Sequence, residues 1–325
     1  MLSLDAKIAL MVMVGFPDKE NHHLLHQVHS GSVGGVCFFQ NNFTNPLQTK
    51  EQTEAFSGLL RAIDQEGGKV QRLQKKNGFT DYPSAQAIAS QKSLAEAKEI
   101  YSTLATELKS AGFNFNLAPV VDLSRDFISP AISGKERSFG SDPTAVIAYG
   151  REFIKAHNQQ GIRTALKHFP GHGSARTDTH LGFTDISSDW QEDELLPYYT
   201  LTKEFPNTAV MAAHVFNRNL DPNNPASLSA PIITGLLREK IGFDGVVITD
   251  DLQMGAVRNN YSETDIIIKA IQAGADILLF GNQLAYSPAI PEQVNETVKT
   301  ALKAGDISAS RIDESVRRIE AFMAF

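Results

Sequence analysis

The sequence predicts an α/β chain folded as a single-domain (β/α)8 TIM barrel, and three observations carry that prediction. Eight short runs rich in Val, Ile, Phe and Ala recur along the 325 residues, longer helical stretches separate them, and no linker rich in Pro, Gly or Ser interrupts the alternation. The runs, residues 11–15, 35–39, 60–64, 113–117, 164–168, 209–214, 245–249 and 276–280, are apolar at nearly every position. Continuous apolarity is what a strand covered on both faces requires, as in a parallel sheet wrapped by helices. A doubly wound open sheet has the same periodicity and stays open as an alternative. The barrel adds a sharper expectation: charged chemistry should follow the C-terminal ends of the strands.

The elements are justified in chain order. The apolar run 8–16 is too short to span a bilayer, follows Asp5 and Lys7, and carries neither a basic leader nor a small-residue cleavage site, so it reads as core. Ser93 and Glu96 have capping-box spacing ahead of Leu94, Ala97, Tyr101, Leu104 and Leu108 at helical spacing, and Gly112 sits where a left-handed cap belongs. The C-terminal stretch places Ile312, Val316, Ile319 and Phe322 on one stripe, with Arg311, Glu314, Arg317 and Arg318 mostly off it. No repeat at a solenoid period is present.

Composition narrows the class of function. A chain 42% hydrophobic and 21% charged has the material for a large core, which excludes disorder. A net charge of −7 without any block of like charges argues against a nucleic-acid partner. The one cysteine, Cys37, cannot pair within the chain, which fits a reducing compartment, so the expected location is the cytoplasm.

Titratable residues follow five of the eight runs. Ile63 leads into Asp64, Leu117 toward Asp122, Leu166 into Lys167 and His168, Ala213 into His214, and Thr249 into Asp250 and Asp251. Each alone reads equally well as a cap or a paired charge. Convergence of Asp64, Asp122, Lys167, His168 and Asp250 on one barrel mouth is hard to explain as packing, because buried charge is costly unless paired. The densest stretch, Lys167 to His180, holds three histidines, and its connection is too long for a simple turn, as in a lid. Asp178 and His180 are two apart, so in an extended loop the carboxylate can hold and polarise the imidazole, a proton-transfer arrangement.

Other readings of these residues were open. The glycines around His172 resemble a phosphate-cradling loop, but no Gly-Lys-Ser/Thr follows. A metal set could be drawn from His168, His172, His180, His214 and Asp250, yet no His-x-His or His-Glu-x-x-His pairing fixes two ligands on one element. His172 can simply shape its loop, and His22, His23, His26 and His29 read as solvated positions. Adjacent side chains diverge, so Asp250 is expected to face the barrel axis and Asp251 to cap a helix starting near Leu252.

Taken together, these segments resemble the bacterial β-N-acetylglucosaminidase (β-hexosaminidase) branch of glycoside hydrolase family 3. The resemblance rests on Met11 to Phe16, Gly34-Gly35-Val36, Asp64 to Arg72, Ala118 to Leu123, Arg137-Ser138-Phe139-Gly140, Lys167 to Gly173 and Val246 to Met254, in this order. It implies one barrel domain over residues 1–325, ending where larger relatives continue into a second α/β domain. It also implies Asp250 as nucleophile, Asp178 and His180 as the acid/base pair, and Asp64, Arg72, Arg137, Lys167 and His168 as sugar ligands, with Asp122 beside them. The implied activity is exo-acting, retaining hydrolysis of terminal β-linked GlcNAc, as in peptidoglycan fragments, without cofactor, metal or obligate protein partner. A β-glucosidase, a GlcNAc phosphorylase and a metal-dependent barrel hydrolase are the alternatives. Three departures from the family pattern stand out: Ser174 where Asp is frequent, Thr179 inside the Asp-x-His, and Ser133-Gly134-Lys135-Glu136 ahead of Arg137.

Overall fold

Strands appear at all eight predicted runs. The computed structural model describes residues 2–17, 24, 27, 31–179 and 182–324. The strands are β1 (Val12–Gly15), β2 (Gly35–Phe38), β3 (Leu60–Ile63), β4 (Phe115–Asn116), β5 (Arg163–Phe169), β6 (Ala209–Ala212), β7 (Val247–Thr249) and β8 (Leu278–Phe280). Apart from half-buried Arg61, every residue in them is buried, which is why their sequences show no alternation. Each strand pairs in parallel with its neighbour in sequence, and β8 pairs with β1 through Val12 and Leu278. A parallel bridge between Ile248 and Ile277 joins β7 to β8, so the sheet closes into a barrel. A doubly wound sheet would reverse its strand order at a switch point, and none occurs.

Every predicted run except 164–168 is longer than the strand it contains. Run 113–117 yields only β4, because the Asn114 side chain takes over pairing at its start, accepting from Arg61 N at 2.6 Å and donating to Leu59 O at 2.9 Å. Beyond β3 the chain forms a hairpin absent from the prediction, Gln65–Gly67 against Val70–Gln71, which carries Arg72 to the barrel mouth.

The surrounding helices follow their sequence signals. Helix Leu94–Ser110 has the Ser93–Glu96 capping box and buries Ala97, Tyr101, Leu104 and Leu108, while Leu94 is left exposed and Gly112 has a φ of 88°. Run 8–16 splits between helix Leu4–Leu10 and β1, and its members from Met11 to Phe16 are core. Helix Ala309–Met323 buries Ile312, Val316, Ile319 and Phe322. Its Arg311 and Arg318 join Arg238 around the fully buried Asp276 at 3.0, 3.4 and 2.7 Å, which fastens the C-terminal helix to the start of β8. Among the described residues, no helix is long and apolar enough to cross a membrane.

Candidate active site

A cleft of about 320 Å³ opens at the C-terminal ends of the strands. Cys37, Leu117, Met211 and Leu279 give it an apolar lining, and Asp64, Arg72, Arg137, Lys167, His168 and Asp250 bring polar groups to it. The strand-end placement of charge predicted from sequence therefore holds for Asp64, Lys167, His168 and Asp250. Asp122 differs: it is buried behind the cleft and reaches it only through His168.

The charged wall is a connected network. Lys167, only 2% exposed, sets its Nζ 2.7 Å from Asp64 Oδ1 and 2.6 Å from Glu66 Oε1. Arg72 donates to Asp64 Oδ2 at 2.9 Å, and Arg137 grips Glu66 through two bonds of 2.8 Å. Burial alone would push both carboxyls up, but Lys167 and Arg72 hold Asp64 well below the usual carboxylate range, and Arg137 with Lys167 does the same for Glu66. Burial opposes the charge on Lys167 as well, and the two carboxylates outweigh it, so its pKa is raised. Three cations thus meet two carboxylates, leaving a net positive wall. Glu66 lay inside the quoted Asp64 to Arg72 segment but had no role assigned. Its partners are 71 and about 100 residues away, beyond any local pattern.

His168 is held on both ring nitrogens. Nδ1 lies 2.7 Å from Asp122 Oδ2, and Nε2 lies 3.2 Å from Arg137 Nη2, which can only donate. The ring proton therefore sits on Nδ1 and donates to Asp122. Asp122 also accepts from the backbone N–H groups of His168 and His172 at 3.1 and 2.8 Å. In spite of full burial these donors keep its carboxyl ionised at low pH. Regular alternation would turn Lys167 and His168 to opposite faces. A register shift against β6 between Lys167 and Phe169 lets both reach the cleft.

The loop after β5 is packed tightly at its base. A Cβ on Gly173 would meet Leu123 O at 1.8 Å, and Gly171 has a φ of 124°, so the glycines serve close approach and turning. His172 is buried, its Nε2 lies 3.1 Å from Thr179 Oγ1, and burial helped by His168 lowers its pKa to about 4. Ser174 faces away from the cleft into an anchor formed by Glu194, Asp189 O and Arg125. Asp178 lies 3.3 Å from Lys135 Nζ. His180 lies outside the described residues, as do His22, His23, His26 and His29.

On the β7 side, Asp250 lines the cleft with its Oδ1 accepting from Asp251 N at 2.8 Å. The expectation for Asp251 needs correction. The helix starts at Gly255 and not near Leu252, and Asp251 Oδ1 instead accepts from Gln253 N and Gly281 N at 3.0 and 2.9 Å, tying the loop after β7 to the end of β8. Asp251 also touches the cleft. His214 is buried behind this segment, with Nε2 at 2.9 Å from Asp251 O and Nδ1 at 2.6 Å from Ser227 Oγ. That makes it a support for the loop carrying Asp250. Among the described residues no group of three or more His, Cys, Asp or Glu is arranged to hold a metal.

Comparison with known proteins bears on this geometry. The description "Glycosyl hydrolase family 3 N terminal domain" matches residues 3–322. Beta-hexosaminidase A of Pseudoalteromonas piscicida is 32% identical over 315 residues, covering 88% of this chain and 52% of that protein, so the chain spans about half its length. Beta-hexosaminidase LpqI of Mycobacterium tuberculosis is 32% identical over 331 residues, covering 98% and 82%. Among solved structures, a glycoside hydrolase family 3 beta-N-acetylglucosaminidase from Paenibacillus sp. str. FPU-7 superimposes with a TM-score of 0.89 at 31% identity, covering 99% of this chain and 62% of that one.

Proposed function

The chain belongs to glycosyl hydrolase family 3, and from that premise we propose that it is an exo-acting, retaining β-N-acetylglucosaminidase cleaving terminal non-reducing β-linked GlcNAc. The observation that carries this reading is the position of Asp250 in one small cleft with the Asp64, Arg72, Arg137, Lys167 and His168 network. A cleft of about 320 Å³ is at the small end of ligand pockets and suits a single sugar ring, hence an exo mode. Carboxylates and cations in fixed positions suit hydroxyl groups, and the apolar floor suits a ring face or an acetamido methyl.

In the proposed reaction, Asp250 attacks the anomeric carbon while His180, protonated and oriented by Asp178, donates to the leaving oxygen. The same imidazole then takes a proton from the water that cleaves the glycosyl-enzyme, so configuration is retained. Both partners of the acid/base pair come from the barrel's own β5 loop, so the barrel suffices for catalysis, and no cofactor or metal takes part. Lys69 and Lys135 stand at the mouth with half-exposed side chains, which suits an acidic aglycone such as a muropeptide. A role in recycling such cell-wall fragments places the enzyme in the cytoplasm, where the buried thiol of Cys37 stays reduced.

The test is hydrolysis of 4-nitrophenyl β-GlcNAc beside 4-nitrophenyl β-glucoside, with and without EDTA. Selective, chelator-insensitive cleavage of the GlcNAc substrate is expected. Preference for the glucoside, or loss with EDTA, would overturn the reading.

A further inference from the structure

Phe38 and Phe39 end the second apolar run, and their side chains part there. Phe38 is fully buried, edge-on to Phe16 and to Phe113 with ring centroids 5.3 Å apart in each pair. Phe39 is half-buried and lines the cleft. Its place is set from three directions. The backbone N–H of Phe39 donates to Asn42 Oδ1 at 2.7 Å, and Asn42 Nδ2 donates to Phe16 O at 3.1 Å, which ties the residue to the segment leaving β1. Gly15, which ends β1, and Gly281, just after β8, make room for the ring: a Cβ on the first would come within 2.8 Å of it and a Cβ on the second within 3.1 Å. Over the ring lies Arg72, its guanidinium carbon 5.7 Å from the ring centroid.

Arg72 is the least tethered cation of the charged wall. Arg137 makes two bonds to Glu66 and one to Ala131 O, and Lys167 meets two carboxylates, but Arg72 reaches Asp64 through a single Nη2 bond of 2.9 Å. Its Nε is buried and has no partner among the described residues. A single bond fixes the distance of a guanidinium and leaves its plane free to turn, whereas a paired fork fixes both. An aromatic face beside the cation supplies the second constraint, because the ring quadrupole attracts the charge and the flat guanidinium packs on it. We propose that Phe39 is a positioning residue for Arg72, its ring holding the guanidinium so that the nitrogens not used by Asp64 meet the oxygens of the bound sugar. The proposal rests on the reading of Arg72 as a sugar ligand. A sugar oxygen then satisfies a buried donor that is costly to leave unpaired, and the binding gained that way depends on the ring being in place. An aliphatic side chain at position 39 can fill the slot between the two glycines but offers no such face.

The experiment is a double-mutant cycle on kcat/KM for 4-nitrophenyl β-GlcNAc, with Phe39→Leu, Arg72→Met and the two combined, and with melting temperatures as the check on folding. Arg72→Met should lower kcat/KM by about 10- to 100-fold, the range for hydrogen bonds from a charged group. Phe39→Leu keeps the packing and removes the ring face, and it should lower kcat/KM by about three- to tenfold, mostly through KM. In the Arg72→Met background the same change should cost nothing further, because the group it acts through is gone. Phe39→Tyr keeps the ring and should recover most of the loss. Equal losses from Phe39→Leu in both backgrounds overturn the proposal and make Phe39 a direct sugar contact or a packing residue. If Arg72→Met loses activity while Phe39→Leu has wild-type kinetics, only the role of Phe39 fails. If Arg72→Met leaves kcat/KM unchanged, or the wild type does not cleave the substrate, the sugar-ligand reading of Arg72 fails and this proposal with it.

Discussion

The backbone N–H of Ala256 donates to the carbonyl of Thr179 at 3.2 Å. Ala256 lies in helix Gly255–Arg258, just after the Asp250-bearing loop, and Thr179 follows Asp178, so one bond links the two loops assigned to the nucleophile and the acid/base pair. Thr179 is itself buried, with its hydroxyl 3.1 Å from His172 Nε2.

Thr179→Val keeps the shape and this backbone bond but removes the hydroxyl, so it tests the His172 contact that steadies the link. It leaves His172 Nε2 unpaired in a buried site, at a cost of about 1–3 kcal/mol. The melting temperature should fall, and kcat should drop with KM little changed, because the ground-state sugar contacts are untouched. Wild-type kcat in the variant would show that the Thr179 hydroxyl does not place the loop.

Asp250→Ala should lower turnover of an aryl β-GlcNAc by about 10⁴-fold or more without unfolding the barrel, because its loss removes the bond-forming group itself. Azide can enter the vacated space, and it should restore cleavage and give the α-configured glycosyl azide. Residual turnover near the wild-type rate, or a β-azide product, would move the nucleophile elsewhere.

The fold was legible because all eight strands are buried on both faces, which leaves continuous apolar runs. Much of the site was legible for a related reason: a charge that ends such a run or directly follows it is at a barrel mouth, and Asp64, Lys167, His168 and Asp250 obey this. What escaped depends on contacts between distant elements. Nothing local to Glu66 announces Arg137, and nothing in Lys167-His168 reveals the register shift that puts both in the cleft. His214, a strand-end residue to which no catalytic or sugar-binding role was assigned, contacts the Asp251 carbonyl, a support that strand-end position alone does not reveal.

Glu66→Gln probes the member of the network that sequence reasoning passed over. The amide keeps the shape but leaves Arg137 and Lys167 facing one carboxylate fewer in a buried site. Removing one partner of such a cluster costs roughly 3–5 kcal/mol. Stability should fall by that order, and KM for the aryl GlcNAc should rise as Arg137 and Lys167 lose their fixed positions. An unchanged urea midpoint would mean that Asp64 alone can hold the cations.

His180→Ala should reduce cleavage of alkyl β-GlcNAc far more than that of 4-nitrophenyl β-GlcNAc, since a good leaving group needs little protonation. Asp178→Ala should show the same pattern in milder form. Equal losses on both substrates would remove the histidine from the acid role.

Acid lability should trace to buried histidines. His157 accepts from Asn116 Nδ2 at 3.0 Å and lies 2.8 Å from Phe153 O, and burial lowers its pKa from 6.5 to about 4. His172 is lowered to about 4 as well. Between those two values the unfolded chain binds protons that the folded chain does not, so this stability is fully present above pH 6.5 and is lost as the pH falls toward 4. A shift of that size corresponds to roughly 3 kcal/mol for each histidine. His157→Phe removes one of the two titrations while an aromatic ring remains to stack on Phe153, now 4.1 Å away between centroids. The variant should be less stable than wild type at pH 7.5, because Asn116 loses an acceptor, and the gap should narrow or reverse at pH 5. Urea midpoints at the two pH values measure this directly, and a constant gap would place the acid sensitivity in groups other than His157.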